Sequence, residues 1–385
     1  MDTSDTNRVG DDRRPDAFIH REILQIGALI LIAVVGFFVT RAVAANNRDA
    51  TFRDAEAWYE RGQRLMSAGR VEEAISSLRR ASVRNRYKRK YALALAKALE
   101  RSGDTEGARS TLLTLREASP DDGEINLALA RLAARRQDVT EALRFYHNTL
   151  YAPWPAEAAR DRRDVRFELI EFLLQHDQAG RALSELLAMA ADLPDAAATH
   201  VRAGQLFGRA GDARQALDQY ERALRLDPSD RTALAGAGTS AFKLGDFRLA
   251  RSYLRRAPDD AEEVVREREI VEVVLSSDPL AHGIGSAERR RRLSASLGYV
   301  EQRLKACHRQ SDSAANGNPT ATLEQESASL VAQLKKSAVL DQDLIEASVD
   351  LFGRVEQHLS KACPPLTARD QALALIARGH ATESR

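Results

Sequence analysis

The stretch AGQLFGRAGDARQALDQYERALRLDPSD, residues 203–230, decides the fold. It holds two apolar helical runs, broken at Gly211-Asp212 and closed by Asp227-Pro228. Thirty-four residues further on its skeleton recurs, with Gly238, Gly245, Ala250 and Ala257 standing where Gly204, Gly211, Ala216 and Ala223 stood. A fixed period of that length marks a helical solenoid, in which each two-helix unit buries its apolar face only against its neighbours.

The register extends backwards. One step of 34 from Ala216 reaches Ala182, a longer step of 40 reaches Ala142, and two further exact steps reach Ala108 and Ala74. Four residues beyond each anchor stand Leu78, Leu112, Tyr146, Leu186, Tyr220 and Leu254. Small residues mark the crossing of the two helices (Gly62, Ala96, Ala130, Gly204, Gly238), with Ile170 the exception. Six units follow, at 55–88, 89–122, 123–156, 163–196, 197–230 and 231–264. Ala74, Leu78 and Ala81 fall at i, i+4 and i+7, one stripe of a helix. Gly69, Gly103, Gly211 and Gly245 end the first helix of a pair, and Pro120, Pro194 and Pro228 stop the second. Gln137 and Asp177 stand at the inter-helix glycine of the third and fourth units.

This pattern resembles the tetratricopeptide-repeat family over roughly residues 55–260, most strongly in the fifth and first units. The resemblance implies an all-α solenoid whose first helices line a concave, peptide-binding groove. At its lining places stand Gln63, Lys97, Arg101, Arg131, Arg135, Gln205 and Arg209, with Thr239 and Lys243 in the last unit. Lys97/Arg101 and Arg131/Arg135 are i, i+4 basic pairs that concentrate positive charge. They are similar to part of the family's carboxylate clamp, although Gln63 and Lys97 replace its asparagines.

The N-terminus carries a second signal. Residues 23–40, ILQIGALILIAVVGFFVT, have only Gln25 and Thr40 as polar side chains. Eighteen residues of helix rise about 27 Å, close to a hydrocarbon core of about 30 Å. A transmembrane anchor over 23–44 is expected, preceded by a disordered tail at 1–22. The rival reading is a signal peptide cleaved at Ala42-Val43-Ala44, but the apolar run is longer than such segments carry. Arg8, Arg13, Arg14 and Arg21 before the span barely outweigh Arg41, Arg48 and Arg53 after it. The expected placement is the cytoplasmic (inner) membrane, N-terminus inside and the repeats outside (periplasmic), with a cytoplasm-facing array as the alternative.

Beyond the repeats the chain stays helical. A helix over 259–277 should cover the last pair and lead into capping helices assigned to 265–309; a second helix runs from Ser286, as N-cap, to about His308. A polar linker at 310–320 and a helical region at 321–385 complete the chain. Leu293, Leu297, Val300, Leu304 and Cys307 form one buried stripe, and Ile345 to Cys363 another. If the stripes pack, Cys307 and Cys363 meet as a disulfide, as an oxidising compartment would allow.

No chemistry is visible. None of the eight histidines forms a zinc-protease motif, and two cysteines cannot build a four-ligand zinc or rubredoxin-like module. Gly236-Ala237-Gly238 and Gly283-Ile284-Gly285 lack the preceding strand that a dinucleotide site needs. Neither an enzyme nor a cofactor is expected. Two basic runs, 84–90 (RNRYKRK) and Arg289–Arg292, suit anionic lipid or polymer; no aromatic interleaving points to nucleic acid. The second run is expected to pair with Glu262, Glu263, Glu267 or Glu269. Trp154, in the insert between the third and fourth units, should fill the gap there. The expected function is a membrane-anchored scaffold for partner-protein segments in envelope-complex assembly or quality control. The alternatives are an anionic-lipid or polymer adaptor and a lipopolysaccharide-assembly factor, the latter weakened by the absent four-cysteine module.

Overall fold

The computed structural model describes residues 16–85, 88–154, 159–310 and 319–383, and every regular element among them is a helix. The chain divides into two units, the first ending at Val165 and the second beginning at Arg166.

The first unit opens with α1 (Asp16–Ser67), 52 residues that join the expected anchor to the first helix of the repeats. Residues 41–54 contain neither glycine nor proline, so nothing interrupts the backbone hydrogen bonds between the two parts. The helix begins inside the expected tail; the rest of that tail, residues 1–15, lies outside the described residues. Then come α2 (Val71–Arg84), α3 (Arg89–Ser102), α4 (Thr105–Ala118), α5 (Gly123–Arg135) and α6 (Val139–Tyr151). Asp104, Asp122 and Asp138 cap α4, α5 and α6 by accepting backbone N–H bonds. The crossing within a pair is tight: a Cβ added at Gly62 would lie 2.6 Å from Leu78. Trp154 folds back, its Nε1 donating to the Thr149 carbonyl at 2.7 Å while its ring lies over Gly123. Pro155, the next residue of that insert, lies outside the described residues.

The second unit takes in most of α7 (Ala159–Gln175), then α8 (Ala179–Ala190), α9 (Ala197–Arg209), α10 (Ala213–Leu226), α11 (Arg231–Lys243) and α12 (Phe247–Leu254). The turns that lack glycine keep the glycine conformation, with Gln137 at φ 59° and Asp177 at φ 57°. Packing of the paired helices therefore outweighs the roughly 1–2 kcal/mol that a side chain costs in the left-handed region.

Five further helices close the second unit: α13 (Glu262–Ser277), α14 (Ser286–Gln310), α15 (Pro319–Lys336), α16 (Gln342–Ala362) and α17 (Ala368–Glu383). Val264 and Val271 of α13 cover Leu234, Ala250 and Leu254 of the last pair, as expected of a capping helix. Leu293, Leu297, Val300 and Leu304 of α14 share a core with Ile345, Val349, Phe352, Val355 and Leu359 of α16. At its end Cys307 and Cys363 are joined in a disulfide, their Cα atoms 5.7 Å apart.

Three expectations are corrected here. Among the described residues the Arg289–Arg292 run pairs with none of the expected α13 carboxylates, and its one bond to that helix is from Arg292 to the Leu275 carbonyl at 3.1 Å. Arg291 and Arg292 bond Glu288 one turn back, at 2.6 and 2.8 Å, and Arg290 donates to the Leu334 carbonyl at 2.7 Å. These cations sit in the first turns of α14, where i, i+3 and i, i+4 carboxylates are nearer than any on the neighbouring helix. Ser286 is the first helical residue rather than the cap, since the Arg289 N–H already bonds the Gly285 carbonyl. Pro319 and Thr320 belong to α15, not to the linker, because the Thr320 side chain is buried against His358; residues 311–318 lie outside the described residues.

Candidate functional site: the face of the first helices

In the first unit this face is built by the end of α1, by α3 and by α5, which carry the smallest crossing residues and so turn their opposite sides outward. Gln63 is exposed and donates to the Tyr59 hydroxyl at 2.9 Å. Lys97 and Arg101, four residues apart, are exposed on α3 and have no ion-pair partner among the described residues. Arg131 and Arg135 are exposed one turn apart on α5. The two pairs thus lie on adjacent first helices, but the patch is less positive than expected. Arg135 is bound to Glu100 of α3 at 2.6 Å, and Glu100 stands in the middle of the cations. Sequence reasoning passed over Glu100, although it occupies a lining place one residue before Arg101.

Below the patch, α1 and α3 are tied by a polar-aromatic network. Lys90 Nζ lies 2.5 Å from Glu56, the Tyr91 hydroxyl donates to the same carboxylate at 2.7 Å, and the Tyr59 and Tyr91 rings stack at 5.2 Å. Bonds from Lys90 and Tyr91 hold Glu56 below the usual carboxylate range. Burial, with the Glu56 bond added, pushes Tyr91 up to about 12. At neutral pH Glu56 is therefore charged and Tyr91 is a fixed donor. This fastens one repeat to the next and offers no proton to a substrate.

In the second unit Gln205 and Arg209 are exposed on α9, while Arg202 bonds Glu171 at 2.8 Å and lies 4.3 Å over the Phe167 ring. The face ends at α11. There Thr239, expected to line the groove, donates to the buried Glu267 of α13 at 2.5 Å. The capping helix therefore occupies that position, and burial raises the Glu267 carboxyl above its ordinary value.

Elsewhere the polar side chains serve packing. His200 is buried against Gln219 at 2.9 Å, and no cluster of metal-ligating side chains occurs among the described residues. A cleft of about 640 Å³ runs along α16 and α17, where Arg354 is paired with Asp350 and Glu326 and His380 is bonded to Asp278.

Two family models described as tetratricopeptide repeat match the sequence, one at residues 39–86 and 201–263, the other at 65–132. The chain carries tetratricopeptide repeats over these residues and folds as an all-α solenoid of that type. The unmatched interval, 133–200, holds Gln137, Asp177 and the insert around Trp154, the places where the repeat pattern is weakest. No curated protein matches the chain. Among solved structures it is similar to the C-terminal part of a TPR repeat-containing protein from Cytophaga hutchinsonii (10% identity, 75% of this chain and 98% of that one, TM-score 0.42). It is also similar to PilF of Pseudomonas aeruginosa (15% identity, 55% and 91%, TM-score 0.39) and to YrrB, described as a TPR protein with an unusual peptide-binding site (17% identity, 51% and 95%, TM-score 0.35). Tetratricopeptide-repeat proteins are protein-interaction scaffolds, typically without catalysis.

Proposed function

We propose that this tetratricopeptide-repeat protein is a single-pass membrane scaffold that holds an extended or helical segment of a partner protein on its first-helix face. Its setting is the assembly or quality control of a cell-envelope complex. The observation that carries the reading is the exposed pair Lys97 and Arg101, two cations without an ionic partner beside Arg131 and the Arg135–Glu100 pair. Such a face suits a segment bearing acidic side chains or a terminal carboxylate, with charge steering the encounter and a few anchors holding it.

Two further features support the setting. Residues Ile26–Ala44 form 19 helical residues of mean hydropathy 2.4, none buried within the protein, which suits a bilayer better than water. The Cys307–Cys363 disulfide suits an oxidising compartment, and so a repeat array outside the cytoplasm. Arg290, Arg291 and Arg292 are engaged by internal bonds, which weighs against a polymer adaptor built on that run. Crosslinking in native membranes tests the function. Lys97→Glu with Arg101→Glu should lower partner capture by roughly tenfold or more, about 1.4 kcal/mol, with helical content unchanged. Capture at the wild-type level would remove this face from the proposal.

A further inference from the structure

The first repeat is not hung from its membrane segment by a linker. It continues the same helix, so its height above the bilayer is set by the helical rise. Asp54 lies ten residues beyond Ala44, the end of the apolar stretch, which places it about 15 Å further along the axis. Helix α2 runs back down beside α1. Leu78 meets Gly62, Arg80 covers the Trp58 ring at 4.6 Å, Ala81 packs with Ala55, and Arg84 reaches Asp54 at 4.0 Å. Lys90, at the start of α3, bonds Glu56. Arg84, Lys88 and Lys90 therefore stand at the end of the repeat that points at the membrane.

That end is cationic. The acidic residues of α2, Glu72 and Glu73, sit in its first turn, at the far end, whereas Arg79, Arg80 and Arg84 crowd its last turns. Arg89 is paired with Asp122 and Glu124, Lys90 with Glu56 and Arg84 loosely with Asp54. Lys88 and Arg79 are exposed with no ion-pair partner among the described residues. Phe52, just below Ala55 on α1, is 47% exposed. The headgroup layer fills roughly 5–7 Å of the 15 Å, and the rest is about one Debye length at physiological salt. A tilt of about 20°, ordinary for a single span, closes the gap further.

We propose that this end of the first repeat, with Lys88 at its tip, rests on anionic lipid headgroups and so fixes the tilt of the repeat against the bilayer. The proposal rests on the membrane-anchor reading. Each basic residue near an anionic surface strengthens association about fivefold, an effect that salt removes. Free amines report it directly, because α3 carries its own control. Lys97 is exposed nine residues further along the same helix, about 13 Å farther from the membrane.

The test uses the full chain in nanodiscs of zwitterionic lipid, with and without phosphatidylglycerol, and measures amine acylation at each lysine by peptide mass spectrometry. Lys88 should react about fivefold more slowly in the anionic discs, recover in half-molar salt, and leave Lys97 unchanged. Equal Lys88 rates in both discs, or parallel slowing of Lys97, would overturn the proposal while leaving the anchor intact. The same protection by single-stranded RNA in zwitterionic discs would also overturn it, assigning the run to nucleic acid. A chain that enters neither disc overturns the anchor reading, and the lipid contact with it.

Discussion

Tyr220 shows what a single position of the repeat does. Its ring is buried between two helical glycines: a Cβ would come within 2.9 Å of it at Gly204 and 2.2 Å at Gly236. Burial pushes its hydroxyl up to about 12, so the ring is an uncharged packing element throughout the physiological range. The Gly236-Ala237-Gly238 triplet thus has a packing role, since Gly238 likewise admits Leu254 at 2.5 Å. Gly236→Ala should lower stability by about 1–3 kcal/mol, because a ring wedged between two helices cannot step aside. Gly298→Ala, in the middle of α14 where a Cβ meets nothing within 4 Å, should raise it by up to about 1 kcal/mol. Melting temperatures should rank Gly298→Ala above wild type and wild type above Gly236→Ala. Equal melting of Gly236→Ala and wild type would show that the helices can part to accept a methyl group.

At the scale of elements, α13 is what turns a repeating array into a finite one. It covers the last pair with Val264 and Val271 and places Glu267 against Thr239, where the next groove position would have been. The carboxyl is raised chiefly by burial, with the Thr239 hydroxyl opposing. Below the ordinary glutamate range, about pH 4.3, it is protonated in both the folded and the unfolded chain. Above that range the unfolded chain ionises first, so stability falls as pH rises through the raised value. Glu267→Gln stays neutral and still accepts the Thr239 proton. It should melt above wild type at pH 7 and coincide with it below about pH 4. Parallel curves between pH 3.5 and 8 would mean that Glu267 is solvated enough to ionise normally.

For the whole molecule, the anchor and the disulfide make one joint prediction. An exported array tethered by α1 should stay in the membrane pellet after alkaline carbonate washing. The denatured chain, alkylated without reductant, should show no free thiol at Cys307 or Cys363. On the chain-entropy model, closing a loop with a sequence separation of 56 residues stabilises the C-terminal core by about 4 kcal/mol. Cys307→Ala with Cys363→Ala should therefore melt earlier than wild type in oxidising buffer and with it in reducing buffer. Two alkylated cysteines in protein from its native host would argue for a reducing compartment and against the exported orientation.

The 34-residue register was legible in the sequence because each repeat re-uses the same local rules. A small residue lets two helices cross, an apolar stripe follows at i, i+4 and i+7, and a left-handed residue ends the first helix. The apolar N-terminal stretch and the stripe leading to each cysteine are local in the same sense. Tertiary structure alone decided the non-local matters. Asp177 and Gln137 adopt the glycine conformation because packed helices on either side impose it. Glu100 takes Arg135 out of the cationic patch because α3 and α5 face each other, a pairing no window of either helix contains. Arg290, Arg291 and Arg292 are held by Glu288 and by carbonyls of other helices, because the partners of a long, flexible cation are set by what folding brings within its reach.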